Sequence, residues 1–349
     1  MKFKDSTIAL ISDIHLGVHQ DSSKWHDVAL QFADWLNLKL KERNILDIVI
    51  PGDIFHDRNE ISVHTVAIAH RFFEKLKDYN IIITVGNHDC FYKDRADVNS
   101  TSILTGWPNI TVVDTVQYTS QFNKKIAYIP WATDIESIEP SDIIFGHFEL
   151  NSFYHNNYKM CAHGIPTTNI LKKGKCIITG HFHKTEYRSY DEGQILYVGS
   201  PYQQTFADVN CVNGCYIFDI KELKIKEFIE NTISPKHLKI KLSDCTTGII
   251  NISKLKEIVP NNIISLIIDK QVTPEQANLF ASKLRTLNPF SLRVDFNYSQ
   301  QNLLGNNNSD IDFTAVDICK TIEEFVNTLD LDIKEDTIAY LIDLYKQTT

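Results

Sequence analysis

The chain has 349 residues, 43% of them hydrophobic, and a formal net charge of −9. That length exceeds what one core usually spans, so two domains are expected. No run approaches the ~18 continuous apolar residues of a membrane span, and the net negative charge argues mildly against nucleic acid as a partner. The charge is unevenly spread, however. Residues 310–349 carry ten acidic residues against three lysines, so the rest of the chain is close to neutral. Bound divalent metals would make one face of it positive.

In chain order, the N-terminus carries only a short apolar run, Ile8–Ile11, broken by Asp13 and His15. It reads as a strand, not a signal peptide. Strand Thr7–Ile11 is followed by a helix over Lys24–Glu42, with apolar Val28, Phe32, Trp35, Leu36 and Leu40 at helical spacing. Then come strand Asp47–Ile50, helix Val63–Lys77 and strand Ile81–Val85, the alternation of an α/β fold. Further strands are expected at Ile110–Val113, Lys125–Ile129, Ile143–Phe145, Cys176–Thr179 and Ile195–Val198. A hairpin follows, from CYIFDI to LKIKEFI. Residues 1–232 make a first domain, and a smaller unit covers 233–297. It reads strand (His237–Leu242), helix (Ile252–Ile258), strand (Ile263–Asp269), helix (Glu275–Leu287), strand (Ser291–Phe296). A polar stretch over 298–311 is a linker, and two short amphipathic helices within 312–349, Phe313–Leu329 and Lys334–Gln347, close the chain. The seven cysteines are scattered. The close pair Cys211 and Cys215 has no matching Cys or His pair beside it, which points to reduced thiols of a cytoplasmic protein and away from zinc.

The chemistry gathers at strand ends. SDIHLG gives Asp13 and His15; PGDIFHDR gives Asp53, His56 and Asp57; VGNHD gives Asn87, His88 and Asp89; GHFE gives His147; GHFH gives His181 and His183. Catalytic groups in α/β sheets collect at the carboxyl ends of strands, so these residues are expected to share one cleft. In D-x-H and H-x-H an extended backbone would turn both side chains to one face. Imidazole with carboxylate suits Mn, Fe or Zn and is poor for Mg or Ca alone. Asp13, His15, Asp53, Asn87, His147, His181 and His183 are too many ligands for one tetrahedral ion and suit two ions sharing a carboxylate. Such a pair, ~3.5–4 Å apart, can clamp a phosphate and activate water. Any one of these motifs alone is weak; five in this order are not coincidence. The other histidines differ. His64 and His70 lie on an amphipathic helix as surface or packing residues, and His19, His26 and His237 have no motif context. His155 and His163 sit in a polar loop close to the site in sequence.

The series D-x-H, G-D, G-N-H-D, G-H, G-H-x-H resembles that of the calcineurin-like metallophosphoesterases. Within them, GDIFHDRNEIS, GNHDCFYK, IPW at Ile129–Trp131, GHFELNSFY and YVGSP resemble the SbcD-type nucleases of double-strand-break repair, most of all the nuclease subunits of phage recombination endonucleases. The resemblance covers nearly the whole chain. It implies a β-sandwich flanked by helices, a small α+β capping domain that binds DNA, and C-terminal helices. It implies that Asp13, His15 and His183 hold one metal, that Asn87, His147 and His181 hold the other, and that Asp53 bridges them. His88 would act on the scissile phosphate and its leaving oxygen, Asp89 would orient His88 by accepting its other N–H, and His56 would position the substrate for exonuclease cleavage.

The implied activity is two-metal cleavage of DNA: a 3′-to-5′ exonuclease on duplex ends and an endonuclease on single strands or hairpins, with manganese expected and magnesium or iron possible alternatives. The implied partner is an SMC-like coiled-coil ATPase, and the apolar stripes of the last two helices (Ile318, Ile322, Phe325, Leu329; Ile338, Leu341, Ile342, Tyr345) after a linker agree with docking on another protein. A homodimer through helices near 63–77 and 98–104 is implied too, working in the cytoplasm (the host's, if phage-encoded). Three rivals share features. A protein phosphatase has the metal set, but Asn59 stands where its G-D-x-x-D-R-G has glycine. A cyclic-nucleotide or lipid phosphodiesterase usually lacks both extensions. A non-catalytic scaffold for the ATPase would have lost ligands, and none of the seven is lost.

Overall fold

The structure, a computed structural model, describes residues 1–297, 326 and 334–348. Its strands are β1 (Thr7–Leu10), β2 (Asp47–Pro51), β3 (Asn80–Thr84), β4 (Ile110–Val113), β5 (Gln117–Gln121), β6 (Lys124–Ile129), β7 (Ser141–His147), β8 (Gly174–Gly180), β9 (Glu186–Ser189), β10 (Gln194–Tyr197), β11 (Gly214–Asp219), β12 (Lys224–Glu230), β13 (His237–Lys241), β14 (Ile263–Ile268) and β15 (Ser291–Phe296). They form two six-stranded sheets, ordered β12-β11-β1-β2-β3-β4 and β5-β6-β7-β8-β10-β9, and a three-stranded sheet β13-β14-β15. Strands β1 to β4 run parallel, as do β6, β7, β8 and β10. The chain is a mixed α/β protein with a sandwich of two large sheets.

Why the central strands are apolar without alternation follows from their burial on both faces. Ile8, Leu10, Val49 and Ile82 of the first sheet join Ile143, Phe145, Cys176 and Ile178 of the second in a core between the sheets. Their neighbours Ala9, Ile48, Ile50, Ile81 and Ile83 point the other way, onto Val28, Phe32, Leu36 and Leu40 of the helix Ser23–Lys41 and Phe72 and Phe73 of the helix Val63–Lys75. Ser62 starts the latter by accepting the Thr65 amide at 3.0 Å, a side-chain cap on an otherwise unpaired donor. The outer face of the second sheet is covered by Phe148, Leu150, Phe153, Ile170 and Leu171.

The apolar strands fall within a residue or two of their expected places. Two strands were not legible: β5 (QYTSQ) and β9 (EYRS) are polar edges of the second sheet, largely free of the core, so no periodic signal marks them. The helix expected near 98–104 is a 3-10 turn, Ser100–Leu104. Short polar side chains bind its backbone and each other there, Ser102 Oγ donating to the Asn99 carbonyl at 2.8 Å and Thr101 Oγ1 to Asn99 Oδ1 at 2.7 Å. Such bonds compete with α-helix formation.

Residues 1–297 form one compact unit and 298–349 a second. Within the first, 233–297 has its own core, including Ile240, Leu255, Val259, Ile264, Leu266 and Leu284. Its three strands are parallel, with helices Leu242–Thr246 and Ile252–Ile258 before β14 and Pro274–Arg285 before β15. It is fastened to the sandwich by the His237 amide on Gln203 Oε1 (2.7 Å), Lys24 Nζ on the Phe290 carbonyl (3.2 Å) and the Arg293 guanidinium 3.9 Å over the Phe206 ring. In the second unit, Lys334–Thr348 is a helix; the helix expected at Phe313–Leu329 lies outside the described residues apart from Val326. No helix among the described residues is long and apolar enough to cross a membrane.

Candidate metal centre

The carboxyl ends of β1, β2 and β3 meet those of β7 and β8, and the glycines of the motifs make that meeting possible. A side-chain carbon on Gly52 would fall on the His147 ring, one on Gly86 on the Asp53 carboxylate, and one on Gly180 on Ser12 Oγ and the Pro51 carbonyl. Ser12 Oγ donates to that carbonyl at 3.2 Å, tying the first and second strand ends together. Asp13, His15, Asp53 and His181 all have positive φ, between 50° and 95°. This corrects the expectation of an extended D-x-H: the strand β1 ends at Leu10, and the two side chains converge because the backbone turns left-handed at both. The pleat plays no part. Non-glycine residues held this way cost of order 1 kcal/mol or more each and concentrate at functional sites.

Two donor groups form among the expected ligands. Ligand-type atoms of Asp13, His15 and His183 lie within 4.8 Å of one another, as do those of Asp53, His147 and His181. Asn87 Oδ1 sits 2.8 Å from both His147 Nε2 and His181 Nδ1. Asp53 Oδ2 lies between the groups, 3.3 Å from His147 Nε2 and 3.6 Å from His15 Nε2. All seven expected ligands are therefore in one place, and five of them are buried: Asp13, His15, Asp53, Asn87 and His147.

The donor chemistry calls for cations. His147 Nδ1 is 2.8 Å from the Pro51 carbonyl, so that nitrogen carries the proton. Its Nε2 then faces two acceptors, Asn87 Oδ1 and Asp53 Oδ2, so a second proton or a cation must lie between them. Across the site, His15 Nε2 and His183 Nε2 face each other at 3.2 Å. Burial disfavours a charged His147, yet Asp53 outweighs it and lifts the ring to about 9. Burial also works against ionised Asp53, but His147 and His15 hold it well below the usual carboxylate range. Burial raises Asp13 to about 6, with Asp53 adding to the effect. Burial lowers His181 to about 3, with His147 adding to it. Imidazole nitrogens and carboxylates crowded this closely and out of water are stabilised by positive charge, whether protons or bound cations. A pair of divalent cations fits this donor set.

His88 is half-buried, with its ring centroid 4.7 Å from that of His15. Its amide donates to Asp53 Oδ1 at 2.9 Å and its Nδ1 lies 2.6 Å from the His56 carbonyl. Nδ1 is thus the protonated nitrogen, and Nε2 is left for the cleft. Asp89 does not orient His88. Its carboxylate accepts four backbone N–H groups: those of Asp53 (2.9 Å), Ile54 and Phe55 (3.0 Å each) and Gly86 (3.0 Å). The expectation failed because amides following β2 and β3 claim the carboxylate first, and a main-chain oxygen takes the imidazole. His56 stacks on His88, centroids 5.5 Å apart and planes at 19°.

Several supporting residues carried no motif of their own. Asp208 Oδ2 is 3.8 Å from His183 Nδ1 and is held by the Gln204 and Thr205 amides at 2.9 Å. Gln204 Nε2 donates to the Asp13 carbonyl at 2.7 Å and Tyr202 hydroxyl to the Ile14 carbonyl at 2.8 Å. Arg58 Nη2 donates to the Asn87 carbonyl at 2.9 Å, and Trp131 stacks on His181 at 5.3 Å. Only the runs GDIFHDR and IPW hinted at the last two. His19 places Nε2 2.8 Å from the Gln204 carbonyl and stacks on Trp25; His64, His70 and His163 are exposed. A cavity of about 690 Å³, lined among others by Leu16, His19, Asp21, His56, Asp57 and Thr205, opens beside His56. A second, of about 380 Å³, shares His19 and Thr205 with it and reaches His237 and Arg293 of the small unit.

This sandwich, with its ligands at the strand ends, is that of a metallophosphoesterase. The chain belongs to the calcineurin-like phosphoesterase family, whose profile matches residues 6–185, and these proteins use a dinuclear metal centre. The chain is similar to exonuclease subunit 1 of Enterobacteria phage T4, with 32% identity over 233 residues that cover 63% of this chain and 66% of that protein, just under two thirds of its length. Among solved structures it is similar to an archaeal phosphodiesterase (15% identity, 64% of this chain and 99% of that one, TM-score 0.38) and to a dimetal phosphatase from Danio rerio (11% identity, 62% and 93%, TM-score 0.38).

Proposed function

We propose that the chain is a two-metal DNA nuclease. In this reading it is a 3′-to-5′ exonuclease on duplex ends and an endonuclease on single strands and hairpins, and it works with an SMC-like ATPase in DNA end processing, recombination and repair. Asp13, His15 and His183 hold one ion, Asn87, His147 and His181 the other, and Asp53 bridges them, with manganese the expected metal. When bound, the ions clamp the phosphodiester and supply an activated water for in-line attack. The chain does the rest. The His56 carbonyl fixes the His88 ring through Nδ1, so that Nε2, once protonated, gives its proton to the leaving oxygen. His56 itself positions the strand.

The observation that carries the reading is the pair of neighbouring cavities that share His19 and Thr205 as walls, one beside His56 and the other reaching Arg293. A single phosphate monoester has no use for such a length; a nucleic acid strand does, with aromatic rings to lie against. Similarity to an exonuclease subunit supports the substrate class. The word subunit supports a partner, which the helix Lys334–Thr348 and its neighbours in 312–349 are proposed to dock. Exposed Val63, Val66, Val98 and Ile103 support a homodimer through the segments near 63–77 and 98–104. The test is cleavage of labelled duplex and single-stranded DNA beside para-nitrophenyl phosphate and its bis ester, with manganese and with chelator, in wild type and Asp53→Asn. Manganese-dependent DNA cleavage lost in the variant is expected; hydrolysis of the monoester alone would overturn the nuclease.

A further inference from the structure

Glu149, His155 and Cys161 place a carboxylate oxygen, an imidazole nitrogen and a thiol within 4.8 Å of one another, outside the seven-residue centre. The backbone brings them together. The Cys161 amide donates to the Phe153 carbonyl at 2.8 Å and the His155 amide to the Lys159 carbonyl at 2.9 Å, so 153–161 is a tight hairpin. Residues paired across such a ribbon, and those two apart along it, share a face; His155 and Cys161 therefore look the same way. Glu149 comes from the segment beside it, whose carbonyl accepts the Ile165 amide at 2.7 Å. Cys161 is 3% exposed, while Glu149 and His155 are half-buried. Cys161 Sγ lies 3.6 Å from Glu149 Oε1. A weak S–H donor at that distance is poor compensation for a carboxylate drawn toward a buried sulfur.

We propose that Glu149, His155 and Cys161 form a third metal site that takes one zinc ion, with a water in the fourth position. Thiolate, imidazole and carboxylate are the three ligand types zinc accepts. Bonds of about 2.0–2.3 Å in a tetrahedron put ligand atoms roughly 3–4 Å apart, within reach of the observed spacing by small rotamer shifts. The thiolate selects zinc over manganese or magnesium, whereas the dinuclear centre has only nitrogen and oxygen donors. The two sites therefore sort different metals. On binding, the Cys161 thiol gives up its proton, and thiolate plus carboxylate neutralise the ion. The site also has a structural consequence. His155 packs on Phe182 with centroids 4.3 Å apart, and Phe182 lies between His181 and His183. An ion here would pin the hairpin against the loop that presents both histidines.

Cobalt(II) in the full-length protein tests this. Sulfur-to-cobalt charge transfer in the near ultraviolet reports a thiolate ligand, and the dinuclear centre has no sulfur to contribute. Wild type should show the band, with an intensity that corresponds to one thiolate-bound cobalt per chain. Cys161→Ser should lack it while still binding metal at the other centre. Because Cys161 is buried, Glu149→Gln and His155→Gln provide independent variants on half-buried side chains, and each should weaken the cobalt titration by at least roughly tenfold. Amide exchange over 152–161 should slow with zinc in wild type and not in the variants. No band in wild type, a band that survives Cys161→Ser, or unchanged titrations in both Gln variants would overturn the site.

Discussion

At the scale of single residues, VGNHD divides its labour. Asn87 points into the donor set, His88 presents Nε2 to the cleft, and Asp89 turns back to gather four amides. His88→Ser is expected to keep both metals and lose roughly 10²–10⁴-fold in cleavage, the usual contribution of a positioned acid. Metal content measured beside turnover checks it; ions lost along with activity would make His88 a ligand. Asp89→Asn acts differently. Replacing one oxygen with an amide nitrogen strands at least one buried N–H and opposes donor to donor, at about 1–3 kcal/mol for each lost partner. The variant should unfold at clearly lower denaturant and bind metal poorly, because the loop carrying Asp53 loosens. Wild-type stability with only turnover impaired would return Asp89 to the role of orienting His88.

Among elements, the close approach of strand ends is the device that builds the site. Gly180 has an ordinary φ, so Gly180→Ala fails on space alone, its methyl falling on Ser12 and the Pro51 carbonyl. Overpacking of this kind costs about 1–3 kcal/mol, and the displaced ends should weaken metal binding; calorimetric titration with manganese measures it, and unchanged affinity would show that the ends have slack. His237, where β13 leaves the sandwich, is a second element-level case. Burial lowers it to about 4 from 6.5, and it lies stacked over Trp25 with Phe206 at its edge. A buried histidine of this kind is neutral in both states above pH 6.5 and destabilises the fold as pH falls from 6.5 toward 4, by on the order of 2 kcal/mol. His237→Phe should flatten the denaturant midpoint across that window, and an equal slope in both proteins would remove His237 as the cause.

For the whole molecule, the division at 297/298 sets residues 1–297 apart as a unit containing every proposed ligand. Deleting residues 312–349 should leave its melting temperature and its cleavage of short single strands intact, and abolish stable association with the proposed ATPase partner. In the proposed complex this acidic segment lays its apolar faces into a partner. Co-purification of the truncated chain with the ATPase at undiminished affinity would refute the assignment, and so would a lowered melting temperature.

The types of the proposed ligands, their order and their position at strand ends were determined by the sequence itself, because each motif is a contiguous run following an apolar strand. The central strands and the two long helices were legible for the same local reason: burial on both faces writes continuous apolar runs, and a helix packed on a sheet writes a 3.6-residue stripe. Edge strands β5 and β9 escaped because a polar strand on a rim leaves no such pattern. The tertiary structure alone decided that Asp13 and His15 converge by left-handed turns, that Asp89 serves the backbone and not His88, and that Asp208 stands behind His183 from 25 positions further along. These outcomes rest on which donor reaches which acceptor across separate strand ends. Such competition is settled by distance in space, and nothing in the local order of residues records it.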